Sequence, residues 1–265
     1  MNAASKKAIL IVSFGTSYEN TRKRTIDAIE RDIADAFPVC PAYRAWTSKM
    51  IIAKLKKRDG IIIHTVKEAM EQMLLDGITD VIVQPTHVIN GIENDQMKAD
   101  ALSFRDRFSS IVFGNPLLTT EEDNQAVVQA VAGEFQDMDQ ETALVLMGHG
   151  TEHYANSVYA ALDYRFKDMG HKNIFLGTVE AYPALDSLLR AADSFQPKKI
   201  VLAPFMIVAG DHAHNDMAGD SPDSWVCQFE NAGFEVCPII KGLGEYPGIR
   251  RMYVEHAQKA IDSMK

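Results

Sequence analysis

The sequence is poor in cysteine, has no cationic excess and has no long apolar run. Its 265 residues hold three cysteines, Cys40, Cys227 and Cys237, and no C-x-x-C pair. Thiolate zinc and iron–sulfur sites need closely spaced cysteines. The three are therefore expected as free thiols of a reducing cytosol. The net charge of −9 argues against a nucleic-acid partner, because such proteins carry a basic footprint. No apolar stretch approaches the roughly 20 residues that span a bilayer. The opening MNAASKKAILIV has two lysines but too short an apolar run for a secretory segment, and it reads straight into a strand. A cytoplasmic protein with no membrane partner is expected. The chain also lacks a G-x-x-x-x-G-K-[ST] phosphate loop, so ATP is not expected to take part.

What is present is a series of short apolar strands alternating with helical patterns, the signature of an α/β protein with parallel sheets. Strands are expected at Lys7–Val12, Val39–Trp46, Asp80–Gln84 and Ser110–Phe113. Further strands are expected at Ala143–Met147, at Asn173–Val179, within Ile200–Val208 with a break near Pro204, and at Phe234–Ile240. Ile26, Ile29, Ile33 and Phe37 lie three or four apart and give one helix a buried stripe. Further helices are expected at Met50–Arg58, Thr65–Asp76, from about Asn94, at Glu121–Phe135 and at Ile249–Ser263. The second half repeats the first: AILIVSFGT (8–16) aligns with ALVLMGHGT (143–151), and Pro85 with Pro204. In that alignment Phe14 stands where His149 stands, and Glu93 where His212 stands. Two similar Rossmann-like α/β/α halves are expected, residues 1–119 and 120–265, related by a pseudo-twofold with a cleft between them. The terminal helix is free to pack back on the first half.

His149, Glu180 and His212 are 31 and 32 residues apart, about one βα unit each. All three therefore fall at the carboxyl rim of one sheet, where open α/β sheets bind ligands. Two imidazoles and a carboxylate suit a divalent metal with open positions, such as Co²⁺, Ni²⁺, Fe²⁺ or Zn²⁺. The same groups suit proton abstraction. Asp211 is the carboxylate expected to orient His212, and His214 is expected at the surface or behind the ligands. His87 and Glu93 mark the matching rim of the first half. The stretch Arg44–Arg58 carries Arg44, Lys49, Lys54, Lys56, Lys57 and Arg58 with no acid among them. It is either a solvated helix face or a local cationic patch for an acidic ligand.

The ordered elements SFGTS (13–17), the turn after DVIVQ (80–84), MGHG (147–150), VEAYP (179–183) and VAGDHAHNDMAGD (208–220) resemble the anaerobic cobalt chelatases of cobalamin biosynthesis. These are class II, ATP-independent tetrapyrrole chelatases, related in fold to ferrochelatase. The resemblance runs from Lys7 to Tyr253. It implies Co²⁺ as metal substrate, a sirohydrochlorin-type tetrapyrrole as partner, and no prosthetic group. Fe²⁺, Ni²⁺ or Zn²⁺ are further metals the site would take. It implies His149, Glu180 and His212 as metal ligands, with His149 as proton acceptor and Glu180 beside it. Ser13, Phe14, Gly15, Thr16, His87, Glu93, Arg44 and Lys49 are the residues expected to touch the macrocycle or its carboxylates. Other readings are a ferrochelatase or nickel chelatase acting on the same macrocycle, a metal carrier or sensor without a reaction, and a metal-dependent hydrolase. A homo-oligomer is left open.

Overall fold

The computed structural model describes residues 5–264; residues 1–4 of the opening stretch and Lys265 lie outside them. The first strand, β1 (Lys7–Ser13), is followed by α1 (Glu19–Arg24), α2 (Ile26–Ala36), β2 (Ala42–Trp46) and α3 (Lys49–Asp59). Then come α4 (Val66–Leu75), β3 (Asp80–Pro85), α5 (Ile92–Leu102) and β4 (Ser110–Phe113). The second series is α6 (Glu121–Glu134), β5 (Thr142–Gly148), α7 (Ser157–Asp168), β6 (Ile174–Thr178) and α8 (Leu185–Phe195). It continues with β7 (Lys199–Pro204), α9 (Trp225–Asn231), β8 (Glu235–Pro238) and α10 (Pro247–Asp262).

The chain forms two compact units. One holds the described residues up to Thr119 together with those from Ile249 on; the other is Thr120–Gly248. Each contains a four-stranded parallel sheet, in the order β2-β1-β3-β4 and β6-β5-β7-β8 respectively. The repeat read from the sequence extends to the register: Val12 pairs with Pro85 in the first sheet, and Met147 with Pro204 in the second. Ala8–Val12 and Ala143–Met147 are almost wholly buried. Strands covered by helices on both faces read as continuous apolar runs for that reason.

Helix starts follow local chemistry. Thr65 accepts from the Glu68 amide while the Glu68 carboxylate accepts from the Thr65 amide, and Thr120 and Asp123 do the same at α6. Ser48 caps α3. Some expected boundaries move. The first long helix breaks at Thr25, which is buried and donates its hydroxyl to the Thr21 carbonyl at 2.7 Å. A β-branched residue bonded back to the preceding turn disturbs the helical ladder. Helix α5 begins at Ile92, so Glu93 lies in its first turn. Strand β7 ends at Pro204, where the break was expected, and the chain to Val208 is a pinned loop. There Phe205 donates to the Met147 carbonyl at 2.7 Å, and the Leu243 and Gly244 amides bond the Met206 and Ile207 carbonyls.

Candidate metal centre

The three expected ligands leave the carboxyl ends of neighbouring elements in the second unit. His149 follows β5 directly. Gly150 then turns the chain with φ +87°, where a Cβ would meet Ala181 N and Thr178 Cβ at 2.9 Å. Only glycine fits that conformation in that space. The same device stands in the first unit at Gly15, φ +106°, packed on the Trp46 ring. Glu180 is two residues beyond β6. Its amide donates to the His149 carbonyl at 2.9 Å, and the Val179 amide to that of Gly148 at 3.0 Å. The two ligand-bearing turns are thus tied by backbone hydrogen bonds. Asn156 braces both, accepting from the Thr151 amide at 3.1 Å and donating to the Tyr182 carbonyl at 2.6 Å. His212 comes after the pinned loop, at the head of a five-residue π turn, Ala213–Met217.

One ligand atom each from His149, Glu180 and His212 lies within 4.8 Å of the others, the spacing a single metal ion needs. The two imidazole rings stand edge to face with centroids 4.6 Å apart. Glu180 Oε2 is 3.6 Å from His149 Nδ1, and Oε1 is 3.9 Å from His212 Nε2. His149 Nδ1 lies 2.8 Å from the Gly150 carbonyl, and His212 Nδ1 lies 2.7 Å from the Asp216 carboxylate. A carbonyl and a carboxylate only accept, so each Nδ1 carries the hydrogen and each Nε2 keeps its lone pair. The ligand side chains are partly open, with 44%, 53% and 33% of their surface exposed for His149, Glu180 and His212. A metal held there keeps positions open to a further ligand.

The carboxylate behind His212 is therefore Asp216, not Asp211 as expected. Four residues along a helical turn share a face and adjacent residues do not, so the HAHND spacing was the available signal. In the first unit the matching rim holds no ligand set among the described residues. Register places Ser13 opposite Trp46 and Gly148 opposite Thr178, so Ser48 falls where Glu180 falls, and Phe14 replaces His149.

The residues expected to meet the substrate divide into two groups. Phe14 is 47% exposed, and Glu93 and Lys49 are exposed as well. Five others lie elsewhere than expected. Ser13 is buried and accepts from the Thr86 hydroxyl at 2.9 Å. Thr16 is buried and accepts from the Tyr18 amide, and Gly15 is covered by Trp46. These three shape the turn instead of presenting polar groups to solvent. Arg44 is held by Glu30 and Asp27 of α2: its Nε donates to both Glu30 oxygens, at 2.9 and 2.8 Å, and its Nη2 pairs with Asp27. It neutralises two acids of its own unit and is not a free cation. His87 is buried, and desolvation pushes it down to about 4 despite the pull of Glu93. Neither ring nitrogen has a hydrogen bond among the described residues, so it does not line an open surface. On α3, Lys49, Lys54, Lys56 and Lys57 are exposed, and Arg58 pairs with Asp59. The three cysteines are free, and no described helix is long and apolar enough to cross a membrane.

Comparison with known proteins places the chain in a family. The family model described as Cobalt chelatase (CbiK) matches residues 7–262. The sirohydrochlorin cobaltochelatase of Salmonella typhimurium is 40% identical over 257 residues, which are 97% of this chain and 97% of that protein. The sirohydrochlorin cobaltochelatase CbiKC of Nitratidesulfovibrio vulgaris is 30% identical over 267 residues, 98% of this chain and 92% of its own. Among solved structures, SirB from Bacillus subtilis with Fe³⁺ matches with a TM-score of 0.67 and 14% identity, over 97% of both chains. That last likeness concerns the fold alone. The match over nearly the whole length and the two relatives agree: the chain belongs to the cobalt chelatase (CbiK) family.

Proposed function

We propose that this protein inserts Co²⁺ into sirohydrochlorin without ATP, at the His149–Glu180–His212 cluster. The observation that carries the proposal is that one ring nitrogen from each of two imidazoles and one carboxylate oxygen lie within one metal's reach at a partly open rim. Insertion requires the metal to shed water and two pyrrole nitrogens to lose their protons. The two imidazoles and Glu180 replace water around Co²⁺ and leave positions for pyrrole nitrogens. Metal and proton compete for the same imidazole lone pair. As the macrocycle nitrogens take over the metal, Nε2 of His149 is released to accept one pyrrole proton, and Glu180, 3.6 Å from that ring, accepts the other. His149 suits this role because its Nδ1 is fixed by the Gly150 carbonyl, so the ring keeps its orientation as Nε2 changes partner.

Sirohydrochlorin is a polycarboxylate, and the protein's net charge is −9. Binding therefore calls for local cations, and we assign this role to Lys49, Lys54, Lys56 and Lys57 of α3, with the exposed Phe14 ring offered to the macrocycle face. The same proposal places the reaction in the cytoplasm, in keeping with three free thiols.

The test is an absorbance assay of sirohydrochlorin with Co²⁺, with Fe²⁺ and Ni²⁺ in parallel, at neutral pH and without nucleotide. Rapid conversion with Co²⁺ that disappears in His149→Ala supports the proposal. A rate no faster than the uncatalysed one with every metal would leave a metal carrier as the better reading. Faster turnover with iron or nickel would reassign the metal.

A further inference from the structure

We propose that Asp216 is a positioning residue that fixes the tautomer and direction of His212, making it the firm metal anchor while His149 remains the yielding one. The inference rests on the metal-site reading above and deepens it. His212 and Asp216 are four residues apart, and the carboxylate Oδ2 takes the Nδ1 hydrogen at 2.7 Å. That bond turns the Nε2 lone pair toward Glu180, 3.9 Å away. A carboxylate behind a metal-bound imidazole also raises its strength as a donor, and losing such a partner typically weakens metal binding about 10–100-fold.

Three features argue that the carboxylate acts on His212 and is not there to hold the turn together. Ala213 and Met217, the residues that follow His212 and Asp216, are fully buried in the core of the second unit. They anchor the π turn by apolar packing. The Asp216 side chain is 48% exposed, so the fold gains little from its burial. The third feature is the contrast with His149, whose Nδ1 hydrogen goes to the Gly150 carbonyl at 2.8 Å, the Glu180 carboxylate lying further off at 3.6 Å. The two imidazoles share a tautomer but differ in the group that takes the Nδ1 hydrogen, a carboxylate behind His212 and a carbonyl behind His149. The ring hydrogen-bonded to the carboxylate holds the metal more firmly, and the ring hydrogen-bonded to the carbonyl is the one that releases it.

The experiment measures equilibrium Co²⁺ binding to the purified full-length protein, with no tetrapyrrole, for wild type, Asp216→Ala, Asp216→Asn, Asp211→Asn and His212→Ala. Asp216→Ala is expected to weaken binding about 10–100-fold. Asp216→Asn should lose less, because its amide oxygen still accepts from Nδ1, and Asp211→Asn should stay within about twofold. In turnover, Asp216→Ala should raise the KM for Co²⁺ by the same factor and leave the KM for sirohydrochlorin unchanged. Co²⁺ affinity in Asp216→Ala equal to wild type would overturn the inference. So would equal losses in Asp211→Asn and Asp216→Asn, which would mean that bulk negative charge and not the hydrogen bond matters. Failure of both Asp216 variants to fold would make the carboxylate structural and would overturn it too. If wild type and His212→Ala bind Co²⁺ alike, the metal site itself is misassigned, a result distinct from the others.

Discussion

Replacing His87 by Leu should make the first unit less sensitive to acid. His87 follows β3, is buried, and has no hydrogen bond to either ring nitrogen among the described residues. Burial pushes its pKa from 6.5 down to about 4 in the folded state, against the opposing pull of Glu93 and of the Asn94 side chain. A group whose folded pKa lies below its unfolded value binds fewer protons when folded. Its contribution is therefore complete above about pH 6.5, falls as the pH drops from 6.5 to 4, and levels off below. With those two values the loss is about 1 kcal/mol at pH 5.5 and roughly 2–3 kcal/mol at pH 4.5. Leu is close to His in volume and removes two buried ring nitrogens that make no hydrogen bond, so the substitution should cost little at pH 7.5. Trp46 is wholly buried in the first unit, and Trp225 lies in the second. A Trp225→Phe background therefore reports unfolding of the first unit by fluorescence. The assay is urea unfolding at pH 7.5, 5.5 and 4.5, with and without His87→Leu. The stability difference between the two proteins should shift in favour of Leu by the amounts above as the pH falls. Parallel curves at all three pH values would refute the reasoning, because they would mean that His87 titrates alike in the folded and unfolded chain.

Four further outcomes follow from the same structure. Gly150→Ala forces a left-handed conformation and a contact of 2.9 Å on an L-residue; it should cost about 1–3 kcal/mol in urea unfolding of the second unit and weaken Co²⁺ binding. Arg44→Met should lower stability by roughly 1–3 kcal/mol, since it leaves Glu30 without its paired cation and Asp27 with Arg22 alone, and should leave the KM for sirohydrochlorin unchanged. Combined Lys54→Ala, Lys56→Ala and Lys57→Ala substitutions should instead raise that KM and flatten its salt dependence with stability within about 0.5 kcal/mol, surface charges being screened by solvent. Tyr253→Phe removes a buried hydroxyl that donates to the Thr86 and His87 carbonyls at 3.0 and 3.2 Å; thermal unfolding should report a loss of about 1 kcal/mol.

The architecture was legible because parallel strands buried on both faces must be continuously apolar, and the polar or glycine residues after them mark the rim. That is why Ala143–Met147 and Asp80–Gln84 could be placed within a residue or two, and why the 31- and 32-residue spacing of His149, Glu180 and His212 pointed to one rim. The repeat was readable for the same reason: equal strand lengths and equal turns at Gly15 and Gly150. What sequence did not show depends on partners brought in from other elements. Arg44 looks like part of a basic run until α2 packs beside β2 and brings Asp27 and Glu30 to it. His87 looks like a rim residue until the burial of its ring is known. Asp211 and Asp216 flank the His212 turn in sequence, and only the helical phase of the π turn shows which one reaches Nδ1. The break at Thr25 depends on a single hydroxyl choosing the Thr21 carbonyl, which a periodicity argument passes over.

The most direct test of the central claim is a single-turnover measurement. The protein is loaded with one equivalent of Co²⁺, freed of unbound metal, and mixed with sirohydrochlorin without ATP while the macrocycle absorbance is followed. Wild type should convert close to one macrocycle per bound metal, and His149→Ala and His212→Ala should show only the background rate. Equal conversion by all three proteins would mean that the metal enters the macrocycle from somewhere other than this cluster, and the account would be wrong at its centre.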